Sequence, residues 1–146
     1  MSFLASFYVV AKERVPALTA EPSLHDELRE VGWELPDFEW SGYAFAVLLS
    51  YLDDKGVAMR SEFDSVSLAL TEAQGASTII FTPAHKSYLP ELAPEKHSED
   101  ELRQFSAEFG WSDDPGAVDA MRAALETLRH HIGALDDSSV LILIVG

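Results

Sequence analysis

His85 follows directly on the apolar run Thr78-Ile79-Ile80-Phe81, which Pro83 stops. Residues just beyond a strand end are common functional positions, and an imidazole titrates near neutral pH. With Arg60 as a neighbour, His85 is the candidate acid–base group if the chain is a small enzyme. A lone histidine without an identified partner more commonly serves structure. His130 and His131 form a second constellation. Adjacent residues on a helix point about 100° apart, so the pair cannot serve one metal from ideal helical geometry. They read instead as a helix end with His131 half-buried, where the helix dipole favours positive charge.

Trp33, Phe38 and Trp40 place three large aromatics within eight residues, set among Glu34, Asp37 and Glu39. Pro36 forbids a helix through them, so Trp33–Trp40 reads as a loop. Such rings offer large contact area at low entropic cost and suit a binding surface, although they also commonly cap a core from outside. Asp53 and Asp54 end an apolar stretch, where carboxylates oppose the helix dipole. Local rules are sometimes broken at functional sites, and a solvated turn explains the pair equally well. Trp33, Trp40, Asp53 and Asp54 are thus the candidate binding residues. The acidic pairs at 53–54, 113–114 and 136–137 supply too few oxygens for a hard cation, and each fits a turn or helix cap. With no glycine-rich phosphate loop, zinc helix, nucleophile elbow or calcium loop, no metal and no cofactor is expected.

The elements that must position these residues are clearest at the end of the chain. Asp114-Pro115 reads as a helix start, and Val118, Met121, Leu125, Leu128, Ile132 and Leu135 draw one apolar stripe over 115–132. Arg122 and Glu126 stand one turn apart and can pair. Residues 139–145 are apolar without alternation, as in a central strand covered on both faces. Phe3–Val10 suits a strand beside it, with Phe3, Ala5, Phe7 and Val9 on one face. Lys12–Leu18 reads as a short helical turn, and Ser23 opens a helix with Asp26 as a weak capping box and Leu24, Leu28 and Val31 as its stripe. Tyr43–Asp53 reads as a buried helix that Ser41 caps and Gly56 closes. Val57–Met59 reads as a short strand, Ser61–Gln74 as a helix, and 77–82 as a strand. Ser98 and Glu101 form the strongest capping box, opening a helix through Phe109 that buries Leu102, Phe105 and Phe109. Trp111–Asp114 turns that helix into the last one, giving an antiparallel pair on the sheet.

The expected architecture is a single globular α+β domain over 1–146: a small mixed sheet with strands near 3–10, 77–82 and 139–145, the last central. About five helices cover it, including 43–53, 99–109 and 115–132. A chain of 146 residues is long enough to build a proper core. Ten basic residues against 25 acidic ones give a net charge of −15. That balance repels nucleic acid and anionic membranes and favours cationic partners. The absence of cysteine removes disulfides, thiolate zinc sites and cysteine nucleophiles. Met1–Val10 is too short to span a bilayer, and Lys12, Glu13 and Arg14 argue against a signal peptide, so a cytoplasmic location is expected.

The apolar opening strand running into a short charged helix (Phe3–Leu18), and the long Arg-bearing helix before Val140-Leu141-Ile142-Leu143-Ile144-Val145-Gly146, resemble the YfbM-like family of small bacterial α+β proteins of unknown function. The resemblance covers roughly a third of the chain and implies a fold without an activity or site residues. The leading functional expectation is a non-enzymatic, regulatory protein-binding module for a basic partner, one form being an immunity-type inhibitor of a basic toxin. The alternative is a small enzyme or ligand-binding protein acting on a soluble metabolite near His85 and Arg60. A third is an oligomer-forming protein, which an exposed apolar surface at Phe3–Val10 would support; the oligomeric state itself is left open.

Overall fold

A computed structural model describes residues 3–111 and 115–146. Four strands build one sheet: β1 (Ala5–Ala11), β2 (Trp33–Glu34), β3 (Ser77–Phe81) and β4 (Ser139–Val145), in the order β2-β1-β4-β3. Each pairing is antiparallel, so the sheet holds no parallel pair. β4 lies between β1 and β3, matched Ala5↔Val145 through Ala11↔Ser139 on one side and Ser77↔Val145 through Phe81↔Leu141 on the other. The pairing continues past the strands, where Leu4 and Gly146 exchange two backbone hydrogen bonds of 3.0 Å.

Val140–Val145 is buried throughout because each face of the sheet has its own cover. Alternate residues point to opposite faces. On one face Phe7, Phe81, Leu141 and Leu143 pack with α2 (Tyr43–Asp54), α4 (Glu99–Phe109) and α5 (Pro115–Gly133). On the other, Tyr8, Val10, Ile80, Val140 and Ile142 meet Val15, Leu18, α1 (Leu24–Val31) and α3 (Asp64–Gln74). The α5 stripe from Val118 to Leu135 is buried as its spacing implies. Ala117, Ala120 and Ala124 are buried beside it, small enough to bring neighbouring elements close. β1 is internal to the sheet and largely buried, and the exposed apolar side chain of the Phe3–Val10 stretch is Leu4 just before it.

Several local expectations are corrected. Trp33–Trp40 is not all loop: Trp33 and Glu34 pair with Val9 and Tyr8 as β2. Val57–Met59 is not a strand. Ser23 makes no side-chain cap hydrogen bond, although its carbonyl accepts Glu27 N–H as the first bond of the helix. Phe109 is 38 % exposed rather than buried. Arg122 and Glu126 do not pair; the ion pairs among the described residues are Arg29 with Asp26 and Glu34, Lys55 with Glu101, and Arg103 with Asp100. Lys12–Leu18 forms two 3₁₀ turns, Lys12–Arg14 and Pro16–Ala20, and a third spans Pro83–Leu92. The Ser98 cap is present, its hydroxyl accepting Glu101 N–H at 3.1 Å. The proposed cap Asp114 and the acidic pair 113–114 lie outside the described residues.

Segment 33–42 is stitched to the outer edge of β1. Beyond β2, Leu35 N–H donates to Phe7 O and Gly42 N–H to Phe3 O, each at 2.9 Å. Both ends of the segment need glycine for close approach rather than for an unusual φ. A Cβ on Gly32 would stand 2.8 Å from Val9 O, and one on Gly42 2.7 Å from the Leu4 carbonyl carbon. Backbone atoms cannot step aside as a side-chain tip can. Gly42→Ala is therefore expected to lower stability in urea unfolding by about 1–3 kcal/mol; an unchanged midpoint would contradict the tight seam.

Candidate functional site

The three histidines with two ring partners or a buried hydroxyl are structural. His85 is 2 % exposed. Its Nδ1 accepts the Thr82 backbone N–H at 3.0 Å, so that nitrogen carries no proton. Nε2 must then hold the hydrogen, which it donates to Arg60 O at 2.7 Å. Both ring atoms are occupied by backbone, and Arg60 contributes its carbonyl rather than its guanidinium. The acid–base role expected of His85 is thereby left without a free nitrogen. It closes a sheet edge instead: Thr82 N–H and, through Thr71 Oγ1 at 3.0 Å, Thr78 N–H on the free side of β3 are both taken by side chains. His97 is similarly fixed, with Nε2 on Glu91 O at 2.7 Å and Nδ1 on the Tyr51 hydroxyl at 2.8 Å. His25 Nδ1 meets the Tyr8 hydroxyl at 2.9 Å.

His130 and His131 remain, and they line a groove between segment 33–42 and α5. One hollow of about 360 Å³ lies among Asp37, Phe38, Glu39, Trp40, Glu126 and the two histidines. A second, about 340 Å³, shares Pro36, His130 and His131 with it and adds Val9, Leu35, Leu135 and Asp136. A third, about 390 Å³, shares Val9, Asp136 and Ser139 with the second and reaches Trp33. The tryptophans thus stand at opposite ends of one series of hollows with common walls. Trp33 is 76 % and Trp40 43 % exposed, whereas Phe38 turns inward onto Phe45 with ring centres 4.6 Å apart. The aromatic segment therefore divides its labour between capping the core and facing solvent.

The fixed charge on the walls of these three hollows is acidic, while Arg129 lines an adjoining hollow that shares Glu126 and His130 with the first. Asp37, Glu39, Glu126 and Asp136 line the three, with no lysine or arginine in any of them. Asp136 is partly engaged, since its Oδ1 accepts Ser138 Oγ–H at 2.8 Å and Ser138 N–H at 2.9 Å. Those bonds hold its carboxyl below the usual carboxylate range. His131 packs on Phe7 with ring centres 5.1 Å apart. Burial, and secondarily the neighbouring His130, push its pKa below the ordinary 6.5. At neutral pH the His131 ring is uncharged and adds no positive charge to the groove; after the serine hydrogen bonds, the Lys86 charge is a weaker favourable influence on Asp136. Among the described residues no group of three or more His, Cys, Asp or Glu could hold a metal ion.

Asp53 and Asp54 are exposed at the end of α2 and line none of these hollows. Trp40 precedes the start of that helix, whose 12 residues span about 18 Å. The four candidate binding residues therefore do not form one patch; the two tryptophans are brought to one groove and the two aspartates are not. Sequence spacing shows the aromatics among acids and the paired histidines separately. Nothing in it places α5 opposite segment 33–42.

Two outcomes follow from these geometries. His85→Ala leaves the buried Thr82 N–H unpaired and removes the part-buried bond to Arg60 C=O, and is expected to destabilise the fold by about 1–3 kcal/mol in denaturant titration. A loss under 1 kcal/mol, roughly one hydrogen bond, would remove the structural assignment. For His131 the folded state binds a proton less readily than the unfolded one. Its contribution to stability is fully present above pH 6.5 and declines as pH falls through that value toward the lower folded pKa. His131→Gln should flatten the fall in Tm between pH 7.5 and 5.5, on the order of one titrating histidine; parallel curves for wild type and variant would refute the linkage.

No helix of the described residues is long and apolar enough to cross a membrane. The chain matches no family model, no curated protein and no solved structure in comparison with known proteins, so the chemistry of the groove rests on its own residues.

Proposed function

We propose that this chain is a non-enzymatic, protein-binding module of the cytoplasm that engages a basic partner through the groove between segment 33–42 and α5. The observation that carries the reading is the union of two exposed tryptophans with three joined hollows whose lining has four carboxylates and neither lysine nor arginine. Aromatic rims of this kind supply anchoring area, and charge of one sign speeds encounter with a partner of the other. A net charge of −15 extends the same field beyond the groove. An immunity-type inhibitor that covers a basic toxin face is one concrete form of such a module. The resemblance of the chain ends to the YfbM-like family adds no activity to this reading.

The metabolite-enzyme alternative drew on His85, whose two nitrogens are committed to backbone groups. It has no comparable support. A ligand-binding role is best placed in the groove, not at His85.

The test is affinity capture at low and at high salt with the wild-type chain, Trp33→Ala/Trp40→Ala, and Asp53→Asn/Asp54→Asn. The expected result is a basic protein held at low salt, released at high salt, and lost with the tryptophan pair, with the aspartate variant behaving as wild type. A partner retained equally by the tryptophan variant would move the binding surface elsewhere. Capture that is indifferent to salt would refute the electrostatic basis.

A further inference from the structure

The part of the groove between Trp40 and His131 differs from its other end. Three carboxylates, Asp37, Glu39 and Glu126, line it together with the Trp40 indole and two imidazoles. Glu126 has no ion pair with Arg122, and none of the three carboxylates takes part in an ion pair among the described residues. Asp37 and Glu39 sit on a segment whose backbone is held at both ends by hydrogen bonds from Leu35 to Phe7 and from Gly42 to Phe3. Glu126 faces them from α5, one helical turn before His130. An occupant of this hollow must carry positive charge, tolerate aromatic faces, and accept contact from more than one carboxylate direction.

A guanidinium satisfies these demands better than an ammonium. It is planar, weakly hydrated, stacks on aromatic rings, and presents its N–H groups in a fork that suits carboxylates on two sides. An ammonium is compact and strongly hydrated, so it loses more on leaving water for a half-open aromatic hollow. The hollow of about 360 Å³ admits a side chain, while the chain of hollows toward Trp33 leaves room for the residues on one side of it. We infer that the Trp40–His131 hollow is a guanidinium subsite, which receives an arginine side chain of the basic partner while the flanking peptide lies along the groove toward Trp33. This inference rests on the protein-binding reading and names the chemistry that the partner must present.

The test uses the full chain and three capped peptides of one length and sequence, with arginine, lysine or neutral citrulline at the centre. The readout is the ring resonances of His130 and His131 and the indole N–H of Trp40 in NMR titrations. The arginine peptide should shift all three signals saturably, the lysine peptide should bind several-fold more weakly, and citrulline should leave them in place. Glu126→Gln and Asp37→Asn/Glu39→Gln alter exposed side chains; the first should weaken the arginine peptide about tenfold, as expected for loss of one charge-assisted contact, and the double variant at least as much. Unchanged circular dichroism verifies that these variants remain folded, and Asp53→Asn/Asp54→Asn serves as the acidic control. Equal shifts with arginine and citrulline, no saturable shift with arginine, or an effect of the control as large as that of Glu126→Gln would each overturn the subsite. Lysine bound as tightly as arginine would replace it with a general cation groove. An arginine peptide that binds while no basic protein is captured leaves the subsite standing without the partner reading. A captured partner that the arginine peptide fails to displace leaves the partner reading standing without the subsite.

Discussion

The pairing of β4 with both β1 and β3 is the constraint on which the rest of the molecule depends. Six consecutive apolar residues, Val140 to Val145, have no face that can meet water. A strand of that kind is stable only with a neighbour on each side and a cover on each face. β1 and β3 supply the neighbours; α2, α4 and α5 cover one face, and α1, α3 and the 3₁₀ turns around Val15 and Leu18 cover the other. The helices are consequently committed to the sheet by one face, and what remains free to do chemistry lies on their outer faces, as Glu126 of α5 does, and on the segments that join them.

The groove arises from this arrangement. Segment 33–42 must seal the outer edge of β1, and it does so by hydrogen-bonding its own backbone there. Apolar Leu35 and Phe38 turn toward the core, which leaves Asp37, Glu39 and Trp40 to face the open side of α5. An edge-sealing device thereby becomes one wall of a binding surface, and the half-buried imidazole of His131 a neutral part of the other. The position of His85 follows the same logic at the opposite edge, where a side chain that reads as catalytic is used to terminate β3. Both edges of the sheet are managed, one by a strand and its following loop, the other by threonine and histidine side chains.

The features legible in the sequence are those written in local hydrophobic order. The strand 139–145, the α5 stripe and the Ser98 cap could be read because their signals lie within a few residues of one another. Features that join distant backbone groups could not. Trp33 and Glu34 form a strand only because β1 lies alongside, and no propensity of two residues declares that. Val57–Met59 looked equally strand-like but has no strand beside it. The commitment of His85 was hidden for a related reason: Thr82 N–H and Arg60 C=O are main-chain groups, present at every residue and therefore silent in the sequence. Trp40, Glu126 and the histidine pair were each visible alone; their convergence depends on how α5 crosses the edge of β1. Asp53 and Asp54 drew attention as a broken helix rule, and they sit in solvent, where the rule has little force.

The two backbone hydrogen bonds between Leu4 and Gly146 carry a consequence for biogenesis. Synthesis on the ribosome delivers β1 first and its partner β4 only after nearly all the described chain has been made. Until then β1 and β3 have no strand between them, and the cores on both faces lack their shared layer. Contacts this distant in sequence make folding slow and late, since a large loop must close before they form. A nascent chain arrested short of β4 would present Phe7, Tyr8, Val10, Ile80 and Phe81 to the cell without cover, a natural signal for chaperones and degradation. Synthesis must thus reach β4 before the sheet can close, and quality control can recognise a product arrested earlier by the strand it lacks.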